Sequence, residues 1–508
     1  MRKILKFLFS RMFFTALLVL LQFAFFFYVL LYINSLGPYI YIFLEVCAIF
    51  SLLFVINSNY EDSFKLIWSI VILAVPILGV GLFFYVGNSK LTSKRLKKMS
   101  SVYNETNYLY KYDTTLKYKF ENDDIQKQIT YLTNKGFPVY NNSKAYYLSW
   151  GEIKWQEMIV ELKKAKRFIF LEYFIVEEGI FWDSILEILE QKVKEGVEVR
   201  VMYDDFGCIN TLPHNYYKTL QKKGIKAIAF NPLKWYFSTR INNRDHRKIL
   251  VIDGNVGFCG GVNLADEYIN EKERFGVWKD TALLIRGSAV WSLTLMFLQN
   301  WNTHCKEDND FEIYRPDPPT LELRESNEFV LPYGDSPLDQ EPLGRNVYIN
   351  MINNAKKYVY ITTPYLICDE IIMNSLCQAA QNGIDVRIIT PGIYDKKVVS
   401  WLTKDSYRIL LQNGVKIFEY TPGFVHAKSF ICDDIICNVG TINMDYRSFF
   451  HHFECSTLVY NSDAVIRLKQ DYFETLESCE EITIDTLKRY SIFTKIVVKI
   501  LRLFAPLL

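Results

Sequence analysis

Metal-binding spacings are missing from this sequence. Its 508 residues include only six histidines, with no HExxH, and its ten cysteines contain no CxxC pair, so neither a zinc knuckle nor a metalloprotease site can be built. The nearest cysteines, Cys432 and Cys437, stand in a strand-like stretch. Reduced, mostly buried thiols are expected, which suits a reducing, cytoplasm-facing location. Charge of one sign is missing too: 58 basic residues face 56 acidic ones, a formal net charge of +2. That balance lacks the positive excess on which backbone-driven nucleic-acid binding depends. No metal, cofactor or nucleic-acid partner is expected.

Apolar and aromatic residues are plentiful. Half of the chain is hydrophobic and 16% is aromatic, enough for a large core or for two or three structural units. Three apolar stretches dominate the start, Met12 to Ile33, Tyr39 to Ile56 and Leu66 to Val86. The first and third reach the ~20 residues that a helix needs to cross a bilayer; the second is shorter and carries Glu45. No small-residue cleavage site follows the first stretch, which argues against a signal peptide. Arg2, Lys3, Lys6 and Arg11 precede these stretches, and Lys90, Lys94, Arg95, Lys97 and Lys98 follow them. The positive-inside rule wants both ends cytoplasmic, so the number of crossings should be even and one stretch re-entrant or interfacial. At the C-terminus, "YSIFTKIVVKILRLFAPLL" places Lys495, Lys499 and Arg502 at helical intervals among apolar residues. Such a helix can lie on an anionic membrane surface or pack on the protein itself.

Beyond about residue 130 the chain alternates helix and strand, and its two halves read alike. "AKRFIFLEYFI" (165–175) answers "AKKYVYITTPYL" (355–366), "EGVEVRVMY" (195–203) answers "NGIDVRIIT" (382–390), and "GIKAIAFNP" (224–232) answers "GVKIFEYTP" (414–422). Each half reads strand, helix, strand, helix, strand, then a motif, as an α/β unit should. An extra loop, "LKWYFSTRINNRD", precedes the first motif. Two copies of one unit associate through equivalent faces, so the motifs should meet across a pseudo-twofold axis in one composite site.

The motifs are "HRKILVIDGNVGFCGGVN" (246–263) and "HAKSFICDDIICNVGTIN" (426–443). His246 and Lys248 should share one face of a strand, as should His426 and Lys428. A neutral imidazole can attack phosphorus while an ammonium beside it neutralises a phosphate oxygen. Two such pairs serve one phosphodiester, with one histidine attacking and the other protonating the leaving alcohol. Asp253 and Asp433 complete the motif and are grouped with the catalytic residues, although a carboxylate at a turn commonly bonds backbone. Gly261 and Thr441, with Asn263 and Asn443, are candidates to cradle the phosphate. An attacking imidazole needs its other nitrogen held by an acceptor. Asp280 in "VWKDTALLI" and Glu454 in "FECSTLVY" are the candidates, each an acid in an otherwise apolar strand.

These residues resemble the paired HxKxxxxD signatures of the phospholipase D superfamily, which proceeds through a phosphohistidine without metal. The resemblance to its cardiolipin synthase branch covers nearly the whole chain. It includes "SFKLIWSIVILAVPILGVGLFFYVG", "DHRKILVIDGNVGFCGGVNLADEY", "ITTPYLICDE", "VHAKSFICDD", "GTINMDYRSFFHHFE" and the terminal "LFAPLL". It implies an α/β fold with two tandem phospholipase D-like α/β/α domains, related by pseudo-twofold symmetry and preceded by transmembrane helices. The expected boundaries are 1–90 for membrane anchoring, 91–130 for a basic linker, 131–325 and 326–488 for the two domains, and 489–508 for the amphipathic helix. The implied reaction passes a phosphatidyl group from one phosphatidylglycerol to another, giving cardiolipin and glycerol, in a bacterial cell membrane with the catalytic domains cytoplasmic. By the resemblance His246 is the nucleophile, His426 the acid and base, and Lys248 and Lys428 bind phosphate; symmetry leaves the two histidines interchangeable. Thr441 stands where the superfamily often has serine. Rival readings are a membrane phospholipase D using water, a phosphatidyltransferase using another alcohol, a nucleic-acid phosphodiesterase and an inactive lipid-binding scaffold. The loop aromatics Trp235, Tyr236 and Phe237, with Arg240 and Arg244, are candidates for lipid-headgroup contact. Of His451 and His452, at most one can approach the site.

Overall fold

In the computed structural model the described residues are 37–58, 60–84, 93–110, 120, 123–232, 243–305, 307–308, 310–324, 327–339, 341–487 and 492–507, with Ala24 and Tyr28. They fall into two compact units, the smaller comprising the described residues before 85 and after 501. In the smaller unit, helices α1 (Gly37–Ile56), α2 (Asp62–Ala74) and α3 (Pro76–Leu82) pack around Val55, Phe64, Ile67, Trp68, Ile72 and Phe83, with Phe504 against them. The stretch expected as one span, Leu66 to Val86, is not one helix. Pro76 has no N–H to continue α2 and starts α3 instead, with Val75 outside the helical region between them at φ −143°. At this break a side chain on Gly79 would collide with the Val71 carbonyl. Among the described residues no helix is long and apolar enough to cross a membrane. Apart from Ala24 and Tyr28, the Met12 to Ile33 stretch lies outside the described residues, as does the loop carrying Trp235 to Phe237 and Arg240.

The larger unit holds two large sheets and two small two-stranded ones. The first half contributes β1 (Ser143–Leu148), β2 (Phe168–Tyr173), β3 (Glu198–Asp204), β4 (Lys226–Phe230), β5 (Ile249–Ile252), β6 (Val256–Gly260), β7 (Val277–Lys279) and β8 (Ala282–Gly287). The second contributes β9 (Phe329–Asp335), β10 (Tyr358–Thr362), β11 (Leu366–Ile367), β12 (Asp385–Pro391), β13 (Lys416–Tyr420), β14 (Gly423–Val425), β15 (Ser429–Cys432), β16 (Ile436–Gly440), β17 (Met444–Asp445), β18 (Glu454–Tyr460) and β19 (Cys479–Ile482). Strand order is β1-β8-β6-β5-β2-β3-β4 in one sheet and β19-β13-β12-β10-β15-β16-β18-β9 in the other. The second order repeats the first in reverse, with β19 added at an edge. In each, three parallel strands from the helix-linked part (β2, β3, β4; β10, β12, β13) join an antiparallel hairpin that carries the motif.

Helices close the space between the sheets. Helix α4 (Val290–His304) is buried along nearly its whole length and packs on β9 of the second half as well as on its own sheet. Helix α5 (Asp463–Leu476) does the converse, packing on β1. The shared core joins Trp291, Phe297 and Trp301 to Val439, Phe453 and Tyr472, and Phe297 stacks on Phe170 with centroids 4.7 Å apart. Because α4 has no solvent face, its polar residues must find partners. Asn300 donates to Glu172 and Asp245, at 2.7 Å each, and Arg247 reaches the same two acids at 2.7 and 3.0 Å. Burial pushes the Glu172 carboxyl well above the usual range. Burial also opposes ionisation of Asp245, but Arg247 beside it prevails and holds it down.

One arginine therefore neutralises one charged acid inside the core. Replacing Arg247 with leucine should cost about 3–5 kcal/mol of stability, because Asp245 is left buried without its counter-charge. A melting temperature within a degree or two of the parent's would contradict this.

Candidate active site

The motif strands are hairpin arms whose turns occupy residues 253–255 and 433–435. The first two residues of each turn have positive φ, Asp253 (54°) and Gly254 (73°) in one, Asp433 (57°) and Asp434 (62°) in the other. That geometry matches strand twist and favours Asp and Gly. The Asp253 carboxylate accepts from the backbone amides of Lys166, Arg167 and Phe168 at 2.7–2.9 Å. Asp433 accepts from those of Lys356, Lys357 and Tyr358 at 2.6–2.9 Å. Asp253 and Asp433, expected among the catalytic residues, are thus engaged by backbone amides. They brace the turn at the far end of each motif strand, where three amide donors need an acceptor.

The histidines stand before their strands, not within them, on extended segments that cross to the other half. The His246 amide donates to the Phe453 carbonyl at 2.9 Å, and the Phe453 amide to the Arg244 carbonyl at 2.8 Å. On the other side β14 pairs in parallel with β7, and the His426 amide donates to the Lys279 carbonyl at 2.7 Å. Each motif thus enters the site hydrogen-bonded to its twin's half.

The same exchange places the acids. His246 Nδ1 lies 3.0 and 2.9 Å from the two carboxylate oxygens of Glu454, and His426 Nδ1 lies 2.6 Å from Asp280 Oδ2. Each histidine takes its carboxylate from the opposite half. With Nδ1–H donated to the acid, the lone pair is on Nε2. Burial lowers His246 to about 3 against the pull of Glu454, and lowers His426 to about 4, with Lys428 adding to the effect. The imidazoles are neutral at pH 7. Burial opposes ionisation of Glu454 and Asp280, yet the histidines hold the acids below the usual carboxylate range, assisted at Asp280 by Lys428.

Lys248 donates to the His246 carbonyl at 2.6 Å, and Lys428 makes the same bond to the His426 carbonyl. Burial brings Lys248 down to about 8 and Lys428 to about 7, and Lys248 depresses Lys428 further. Three of the four residues expected to cradle phosphate are hydrogen-bonded within the protein. The Gly261 amide donates to the Thr281 carbonyl and the Thr441 amide to the Cys455 carbonyl. The Thr441 hydroxyl donates to Glu454 Oε2 at 2.5 Å, so it fixes the acid. Asn263 accepts from the Ile175 amide and donates to the Tyr268 hydroxyl. Asn443 is buried, and its Oδ1 has no hydrogen-bond partner. Gly261 has a steric role instead, since a Cβ there would sit 2.1 Å from Asp280 Oδ1. Arg244, a candidate for headgroup contact, is buried, with its guanidinium 3.4 Å from Asp204 and 3.2 Å from the Asn231 carbonyl.

Other residues at the site, His452 apart, were not singled out from the sequence. Lys154 is fully buried, donates to the Val262 carbonyl at 3.0 Å and is lowered to about 7 by burial. Its spacing with Gly151, Met158 and Leu162 on the buried helix face was the available signal. Tyr268 and Trp278 flank His426, and Phe174 and His452 flank His246, with ring centroids 5.0–5.5 Å apart. His246, His452 and Glu454 offer ligand atoms within 4.8 Å of one another. A metal there would have to displace the His246–Glu454 hydrogen bonds.

The family model described as "Cardiolipin synthase, PLD-like domain" matches twice, over residues 158–285 and 348–476. An uncharacterised protein of Streptococcus mutans is 49% identical over 90% of this chain and 99% of its own length. A cardiolipin synthase of Alkalihalophilus pseudofirmus is 34% identical over 91% of this chain and 92% of its own. Among solved structures, a phosphatidylserine synthase of Haemophilus influenzae matches with a TM-score of 0.56 at 14% identity, covering 76% of this chain and 98% of that one. This last likeness concerns the fold.

Two outcomes follow from the geometry. Gly261→Ala should push Asp280 away from His426 and cost about 1–3 kcal/mol, visible as a lower thermal midpoint; an unchanged midpoint would mean the carboxylate is not confined. Sulfate entering the site should raise the depressed Lys428 and Lys248, so calorimetry near pH 7.5 in two buffers should show uptake of roughly one proton. Binding with no buffer dependence would contradict lysines poised in this range.

Proposed function

Because this chain belongs to the cardiolipin synthase family of phospholipase D-like proteins, we propose that it transfers a phosphatidyl group from one phosphatidylglycerol to another, releasing glycerol. The observation that carries this reading is the pair of imidazole–carboxylate couples exchanged between the halves, with two buried lysines beside them. Nε2 of His246 attacks phosphorus and the bond to glycerol breaks, leaving a phosphatidyl-histidine. His426 gives its proton to the departing glycerol. The hydroxyl of a second phosphatidylglycerol then returns a proton to His426 and attacks phosphorus, breaking the P–N bond. Burial and the two lysines keep His426 neutral. A phosphodiester anion would offset the charge of Lys428 and Lys248 that helps depress it, so substrate binding favours its acid form.

Membrane attachment is part of the proposal. Residues 1–90 anchor the chain as multi-pass segments in a bacterial cell membrane, 91–130 link it to cytoplasmic domains at 131–325 and 326–488, and 489–508 close it. In support, α1 and α2 expose Ile42, Phe43, Ile49, Phe50, Leu66 and Leu73. Helix α6 (Ile492–Leu503) exposes Phe493, Ile496, Ile500 and Leu503 beside Lys495 and Lys499. Exposed apolar residues interspersed with basic ones on a helix suit anionic lipid. Attachment also places donor and acceptor lipids at high local concentration, which favours transfer over hydrolysis.

Purified protein given labelled phosphatidylglycerol should yield cardiolipin and glycerol, with His246→Ala and His426→Ala each reducing the rate by at least ~1000-fold. Phosphatidic acid as the sole product would instead mean that water is the acceptor. Alkaline carbonate should leave the protein in the membrane pellet, and its release would remove the anchoring reading.

A further inference from the structure

The two halves of the site differ by one imidazole. His426 has Asp280 at its Nδ1 and Tyr268, Trp278 and Phe424 around its ring. His246 has Glu454 and Phe174, and also His452, whose ring centroid lies 5.4 Å from its own. His452 Nδ1 is 3.5 Å from Glu454 Oε1, is buried and makes no hydrogen bond. The backbone holds this ring in place. Its amide donates to the Arg447 carbonyl at 2.9 Å, at the end of a short helix (Tyr446–Phe450) capped by Asp445, and the next residue is tied to Arg244.

We propose that His452 is a positioning residue for His246, acting through the carboxylate they share, so that the His246 half of the site responds to pH through His452 and the His426 half does not. The inference rests on the reading of His246 and His426 as the reacting histidines. While His452 is neutral, both Glu454 oxygens serve His246 and the Thr441 hydroxyl. Once His452 is protonated, its Nδ1–H becomes a charge-assisted donor to Oε1 and draws the carboxylate away from His246. The added charge also opposes the imidazolium that forms when His246 attacks phosphorus. Both effects turn down the same half-reaction as pH falls. The charged and titratable groups on the segments packed about this ring are Glu454, His246 and Lys248 in the site, Asp445, Arg447 and His451 on the preceding turn, and Arg244 and Asp245 on the paired segment. Glu454 and His246 are the ones in direct contact with it.

The test follows hydrogen–deuterium exchange at histidine C2 by mass spectrometry on the full-length protein in detergent, comparing the parent with His452→Asn and His452→Gln. The midpoint for His246 should rise by about 0.5 pH or more in both variants, while that of His426 stays put. In parallel, the acid limb of kcat/KM against pH should be steeper in the parent than in the variants, and His451→Asn should alter neither measurement. An unmoved His246 midpoint, or equal movement of both histidines, would overturn the proposal. So would a rate lowered by one factor at every pH, which is the mark of lost packing. A parent that makes no cardiolipin at any pH defeats the functional reading instead, and the exchange measurement still decides the role of His452.

Discussion

The structure turns on the exchange of carboxylates between its halves. An imidazole that is to attack phosphorus must be neutral, and its far nitrogen must be held. Here the holder of His246 is Glu454 and the holder of His426 is Asp280, each from the other half. Neither half contains a complete site. The parallel pairing of β7 with β14, the bond from His246 to Phe453 and the crossed packing of α4 and α5 all keep those two contacts in register.

Burial then sets the electrostatics. Removing two imidazole–carboxylate couples and two lysines from water favours neutral imidazoles and weakens the lysines' hold on their protons. An anion beside these lysines would strengthen that hold. The small residues around the acids serve the same end: Gly261 leaves room for Asp280, while Thr441 at the equivalent position grips Glu454. The two halves thus hold equivalent acids by different means, one by steric confinement and the other by a hydrogen bond. This asymmetry, with His452 beside only one of the acids, separates two sites that the repeat would make alike.

The core between the sheets bears a related constraint. Helix α4 is enclosed on all sides, so its Asn300 is drawn into the cluster formed by Arg247, Asp245 and Glu172. Arg247 lies between the motif's histidine and lysine, facing away from the reaction. The second motif has Ala427 there. One motif strand is therefore fastened through ionic contacts and the other through apolar packing.

Local pattern alone determined a good deal: the duplicated α/β halves, the paired motifs at equal spacing, and the isolated acids in apolar strands. Periodicity and residue chemistry are local, and they survive in the sequence. Two things depended on the tertiary structure. A carboxylate's partner is chosen by how two halves dock, so no spacing could assign Glu454 to His246 rather than to its own half's His426. Whether Gly261, Thr441 and Asn263 face a phosphate or the protein depended on hydrogen bonds between residues far apart in sequence. The helical break at Val75 was legible in Pro76, yet the apolar run concealed it, because hydropathy averages over side chains and takes no account of a missing N–H.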